Sequence, residues 1–73
     1  MGNEKASTLR QIGALIFNCT PSRVSANNLS GNTWIVEVNG VCVVGVLTQK
    51  KGSKFAFEIT EGDRELVNTK YIV

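Results

Sequence analysis

The chain has 73 residues, 42% of them apolar, and its eight basic and six acidic residues leave a net charge of +2. This length suits one small domain, residues 1–73, near the lower limit for a self-sufficient core, and the composition excludes a disordered or low-complexity chain. No apolar run approaches the ~20 residues of a membrane span, so a membrane is not expected as a partner.

Residues 1 to 4 are polar and expected to fray. Leu9, Ile12, Leu15 and Ile16 then recur at helical spacing and predict an amphipathic helix. Asn3 or Thr8 would cap its start, Thr8 with Gln11 as a capping box. Gly13 inside it costs about 1 kcal/mol relative to alanine, which points to close packing, directly against a sheet. Asn18 is expected to end the helix in a left-handed conformation. Thr20-Pro21 is a start signal, with threonine as cap and proline at the first helical position. It predicts a short second helix from Pro21 to about Asn27 that buries Val24 and Ala26. Asn27 to Asn32 reads as a loop by composition.

Thr33 to Thr60 carries three apolar runs, TWIVEV, VCVVGVLTQ and KFAFEIT, separated by two turn signals. Asn39-Gly40 between alternating hydrophobics is a strong hairpin signal, because a type I′ turn needs φ > 0 at both central residues. A two-residue loop there pairs Val38 with Val41, Val36 with Val43 and Trp34 with Gly45. Trp34, Val36, Val38, Val41, Val43 and Leu47 then share one face, and Ile35, Glu37, Cys42, Val44 and Val46 the other. A second two-residue turn at Lys51-Gly52 pairs Lys50 with Ser53, Thr48 with Phe55, Val46 with Phe57 and Val44 with Ile59. That register sets the phenylalanines on the Ile35 face, and a slip of one residue would move them across. Asp63 is placed to cap one helical turn through Leu66 and Val67. Lys70 to Val73 reads as a short fourth strand or an extended packed tail.

The fold class expected is therefore α+β: an N-terminal helix packed on a three-stranded antiparallel meander, with a short second helical turn and a C-terminal fourth strand. Its cores are Leu9, Ile12, Leu15 and Ile16 against one face, and Trp34, Val36 and Val43 on the other.

Catalytic and metal chemistry find little support. The chain has no histidine, so it lacks an imidazole base and a histidine metal ligand. Its two cysteines, far apart in sequence, match no zinc pattern. Glu37 and Glu58 fall on opposite faces, and the glycines match no phosphate-loop signature. A non-enzymatic protein with no cofactor and no metal is expected. The N-terminus carries no signal-peptide pattern, which leads us to expect free thiols in a reducing, cytoplasmic compartment, with Cys42 packed as a small hydrophobe.

Charge is unevenly spread. Through Lys54 there are six basic residues against two acidic, and after it two basic against four acidic. Ala14, Asn18 and Val24 match the small residue, turn residue and buried aliphatic of a helix-turn-helix, with apolar Phe17 and Cys19 flanking the turn. Over about 20 residues, Arg10 to Leu29 resembles the helix-turn-helix of DNA-binding regulators. The resemblance implies that Thr20 to Ser25 begins a recognition helix, with Ser22, Arg23, Ser25 and Asn27 as readers of base edges. Asn27 departs from that pattern, which favours an aliphatic there, and the usual preceding helix is missing. Lys50, Lys51 and Lys54 cluster at a hairpin tip and would hold phosphate oxygens. Thr33 to Lys54 is also similar to the hairpin of double-stranded-RNA-binding domains, but a strand at Phe55 to Ile59 stands where that family needs its last helix.

Two functions follow as expectations. The first is a nucleic-acid-binding or regulatory protein that uses the helix-turn-helix-like segment and the basic tip. The alternative is a protein-interaction or inhibitor module that uses an apolar sheet face or edge. A homodimer burying Trp34, Val36, Val43 and Leu47 is its simplest form.

Overall fold

The structure is a computed structural model that describes residues 3–52 and 54–73. It is an α+β fold, with one helix, α1 (Asn3–Phe17), on an open antiparallel sheet of five strands in sequential order. These are β1 (Ser25–Ser30), β2 (Thr33–Val38), β3 (Val41–Lys50), β4 (Lys54–Glu61) and β5 (Lys70–Ile72). The expected three-stranded meander is its centre, extended by one strand on each side.

α1 begins at Asn3, so Thr8 lies inside the helix and does not cap it. The expected fraying of the first residues falls partly on residues 1 and 2, outside the described residues. Leu9 and Ile12 are fully buried, and Ile16 packs against the same core. Gly13 lies between them: a Cβ there would sit 2.5 Å from Val24 Cγ1 and 2.9 Å from Val36 Cγ1. The helix therefore rests directly on the sheet through a glycine, as its cost in helix propensity suggested. Leu15 is 65% exposed, contrary to expectation. At 100° per residue it lies about 110° around the helix from the centre of the Leu9, Ile12, Gly13, Ile16 stripe. Asn18 has φ 54°, and the Cys19 amide donates to the Ala14 carbonyl at 3.0 Å, closing the helix end as expected.

The second helix is the main local correction. Thr20-Pro21 starts only a single 3₁₀ turn, Pro21–Arg23, closed by the Arg23 and Val24 amides donating to the Thr20 and Pro21 carbonyls. The chain then becomes β1. Ser25 pairs with Glu37, Ala26 with Val36 and Asn27 with Ile35. The polar run Ser-Ala-Asn-Asn-Leu-Ser has little strand character of its own, and pairing with β2 overrides its loop-like composition. Val24, expected to be buried by a helix, is buried by the sheet and by Gly13.

The first hairpin has the expected register, with Asn39 at φ 52° and Gly40 at φ 82°. The second is shifted by one residue. Lys50 pairs with Lys54, Thr48 with Ala56, Leu47 with Phe57 and Gly45 with Ile59. The expected Lys50–Ser53 pair involves a residue outside the described residues. The shift carries Phe55, Phe57 and Ile59 to the Trp34 face, where each is at most 5% exposed. Burial of such side chains is worth about 1.5–3 kcal/mol each, enough to outweigh a local turn preference. In the expected register these side chains would have met water on the face that α1 does not cover.

Both halves of the expected core thus merge on one face. Leu9 and Ile12 pack with Val24, Val36, Val38, Val43, Leu47, Phe55, Phe57 and Ile59, and Trp34, Leu66 and Tyr71 close the margins. Asp63 caps its turn as expected: its Oδ1 accepts from the Glu65 amide at 3.0 Å, and its carbonyl accepts from the Leu66 and Val67 amides. The tail forms a short strand, β5, whose Tyr71 pairs with Phe57.

Two glycines mark the tightest approaches. A Cβ at Gly45 would lie 2.5 Å from the Glu58 carbonyl oxygen and 2.6 Å from the Phe57 ring. Gly13→Ala should gain up to about 1 kcal/mol in helix propensity yet lose about 1–3 kcal/mol to overpacking, for a net loss of stability. Gly45→Ala should be worse, because its obstacle is backbone. Urea denaturation of the two variants tests this ranking, and a stabilised Gly13→Ala would mean that α1 sits further from the sheet.

Candidate functional site

Strand alternation sends successive side chains to opposite faces. One face carries α1 and the core. On the other, Ile35 of β2, Val44 and Val46 of β3, Ala56 of β4 and Ile72 of β5 form an apolar diagonal across the sheet. Ile35, Val44 and Val46 are half-buried by their neighbours alone, and Ile72 is 59% exposed. Among the described residues no helix covers this face, since the one α-helix lies on the other.

Charge frames the diagonal in an ordered way. At one end of the strands Glu37 pairs with Cys42, and both are exposed. At the other end Lys50 pairs with Lys54, both exposed, with Lys51 beside them in the turn. Between the ends Glu58 pairs with Lys70, one cross-strand pair of opposite charge. Cys42, expected to pack as a small hydrophobe, is instead an exposed free thiol, and Cys19 is free and partly buried.

The residues first considered for function divide into three places. Ser22 and Arg23 lie in the 3₁₀ turn, and Ser25 and Asn27 on edge strand β1, all exposed. No recognition helix exists for them to belong to, so the helix-turn-helix resemblance ends at Asn18. Lys50, Lys51 and Lys54 lie at the far end of the sheet. Ser25 is level with Glu37 and Cys42, and β3 runs a further ~26 Å to Lys50 at about 3.3 Å per residue. The two basic elements therefore do not form one footprint. Third, Val36, Val43 and Leu47 are buried beneath α1 and Trp34 is partly buried beside them. These four residues form no outer surface, because the helix and the shifted β4 close that face within one chain.

The sheet edges are poorly suited to strand addition. β5 has three residues, and β1 has a register shift between Asn28 and Ser30 that leaves Leu29 unpaired. The Asn28 side chain donates to the Gly31 and Thr33 carbonyls, both at 3.0 Å, and so holds this irregularity. Short and bulged edges resist pairing with another chain.

One cleft of about 400 Å³ opens between the end of α1 (Ile16, Phe17), Val41 to Val43, and the turn carrying Asp63, Glu65 and Leu66. Its walls are mainly apolar, with two carboxylates and the Cys42 thiol among the lining groups. Sequence reasoning missed it because its walls come from three distant segments. Among the described residues no cluster of three or more Cys, Asp or Glu side chains is placed to hold a metal ion, and no helix is long and apolar enough to cross a membrane.

The outer face should tolerate polarity that the inner face does not. Val44→Thr and Val46→Thr are expected to shift Tm by less than about 3 °C, whereas Val43→Thr buries a hydroxyl and should lower it by at least about 5 °C. Calorimetry of the three variants checks this, and equal losses would mean that the outer face is also packed. No protein-family model, curated protein or solved structure matches this chain at a significant level, so nothing outside its own residues assigns the outer face or the basic tip a role.

Proposed function

We propose that this protein is a small non-enzymatic protein-interaction module that works through the open face of its sheet. The apolar diagonal Ile35, Val44, Val46, Ala56 and Ile72 on an uncovered face carries this reading. A sheet normally wets one face with alternating polar residues, and here Ile35, Val44 and Val46 stand together among the outer positions of β2 and β3. An apolar patch rimmed by charge is the usual form of a protein contact surface. The edges support it less, because one is short and the other irregular.

A benzophenone amino acid at position 46 tests the reading in cells that express the protein. The expected result is a covalent protein adduct on illumination that the same group at position 5, on exposed Lys5 of α1, does not give. An adduct yield at position 46 no higher than at position 5 would sink the proposal.

A second reading concerns nucleic acid and rests on the tip alone. Lys50, Lys51 and Lys54 are all exposed at one end of the sheet. Three phosphate contacts would make log affinity for duplex DNA fall with log salt at a slope of at most about 3. Neutralising Lys50 and Lys51 to glutamine should reduce that slope by about 2, read by fluorescence anisotropy. A slope that survives both substitutions would remove the tip as the site, and no binding at low salt would remove nucleic acid altogether.

A further inference from the structure

We infer that the cleft between the end of α1, the start of β3 and the turn after β4 binds a small organic cation with an apolar body. The inference goes beyond the contact surface proposed above and does not depend on it. The cleft lies at one end of the sheet, whereas that surface is the outer face.

Shape is the first argument. A volume of about 400 Å³ falls at the lower end of the range for small-molecule sites, about 300–1,000 Å³. The walls are held in place by the chain's own bonds. On one side Asn18, at φ 54°, ends α1, and the Cys19 amide donates to the Ala14 carbonyl, which fixes Ile16 and Phe17. On the other side the Leu66 and Val67 amides donate to the Asp63 carbonyl. The Asn68 amide donates to the Ile59 carbonyl at 2.8 Å and ties this turn back to β4. Gly62, at φ 142°, brings the turn down on Val43, where a Cβ would stand 2.9 Å from Val43 Cγ1. Val41 remains 59% exposed at the mouth, and Phe17 and Leu66 are only half-buried. Covering these groups with the hydrocarbon of a ligand removes apolar surface from water.

Charge sets the class of ligand. Asp63 and Glu65 line the cleft, both exposed, and no lysine or arginine is among its described lining residues. Asp63 spends one carboxylate oxygen on the Glu65 amide and has a second to offer. Glu37, paired with Cys42, and Glu61, paired with Val44, add two carboxylates at this end of the sheet. The bases nearby are Arg64, exposed between Asp63 and Glu65 in the chain, and Arg23, which precedes β1 two strands away from β3. Four carboxylates against two guanidinium groups leave this end negative. The last turn of α1, which supplies Ile16 and Phe17, has no basic residue to offset the partial negative charge of a helix C-terminus. An ammonium group beside the carboxylates, with its hydrocarbon on Phe17, Val41 and Leu66, uses both halves of the site. A protein would bury only a side chain here and need about 1,000 Å² of contact in total. The exposed neighbours Asn18, Glu61 and Arg64 are polar and offer it little apolar surface.

Amide NMR titration of the full chain tests the inference with phenylpropylamine, phenylpropanol and phenylpropionate, which share one apolar body. The amine is expected to bind with Kd about 1 mM and to move the Phe17, Cys42 and Leu66 amides most. Phenylpropionate should bind about tenfold more weakly. Raising salt from about 0.01 to 0.5 M should weaken the amine severalfold and leave the alcohol within about twofold. Asp63→Asn with Glu65→Gln removes both charges and keeps the cap, since asparagine accepts as aspartate does. This variant should weaken the amine about fivefold and leave the alcohol within about twofold. If it does not fold, the salt series and the three-ligand comparison on the unmodified chain decide. Phenylpropionate binding as tightly as the amine, shifts centred away from the cleft, or no amine binding up to about 20 mM overturns the inference. Capture of a protein by a benzophenone amino acid at position 41, above the yield at position 5, also overturns it and gives the cleft to a partner's side chain. Each of these failures leaves the reading of the outer face standing.

Discussion

The ring of Phe57 lies over the backbone of Gly45, so close that a Cβ on that glycine would stand 2.6 Å from the ring. This contact depends on the register of β4 against β3, in which Phe57 is paired with Leu47 and Ile59 with Gly45. Everything that α1 covers follows from it. With Phe55, Phe57 and Ile59 on the same side as Val36 and Val43, a single 15-residue helix suffices to close the core. In the neighbouring register the helix would cover a poorer core, and two phenylalanines would face water. A chain this short has little stability to spare, so the register that gathers the large side chains under one cover is selected over the one its turn prefers.

The same economy explains the open face. Once every large side chain of β4 points toward α1, the outer side of the sheet keeps only Ile35, Val44, Val46, Ala56 and Ile72, smaller groups that partly shelter one another. The sheet can remain folded with this face exposed, but water still meets Ile35, Val44 and Val46 in part and Ile72 more fully, while Ala56 between them is buried. In the proposed reading this face is where the molecule meets its partner. Its ends are chemically distinct, acidic at Glu37 and basic at Lys50 and Lys54, which gives the surface a direction. A surface with direction selects orientation as well as partner, since charge placed on the rim acts mainly on register and specificity.

The two glycines at close approaches have related roles. Gly13 lets the helix axis come down onto Val24 and Val36, and Gly45 makes room for an aromatic ring above the central strand. Neither has an unusual backbone requirement there; each is needed for what is absent. In both cases a neighbour from a distant part of the chain fills the space. The wedge at Gly13 also explains why Leu15 is left outside. The face that touches the sheet is the Leu9, Ile12, Gly13, Ile16 stripe, and Leu15 lies about a third of a turn from its centre.

Several features were legible in the residues alone. The α+β class, the helix with Leu9 and Ile12 inward, the left-handed Asn18, the Asn39-Gly40 hairpin with its full register, the Asp63 turn and an extended tail all rest on local chemistry. Caps, turn dihedrals and apolar periodicity act over a few residues, so the sequence displays them directly. Tertiary structure decided the rest. Ser25 to Ser30 became a strand because β2 offered it a partner, and Pro21 to Arg23 stopped at one turn for the same reason. β4 took its register from burial beneath a helix some forty residues earlier in the chain. That choice placed Val36, Val43 and Leu47 in the core and left Val44 and Val46 outside, and so moved the candidate surface from one face of the sheet to the other. The alternation along β3 is apolar on both sides, so no local pattern distinguishes its two faces; only the position of α1 does.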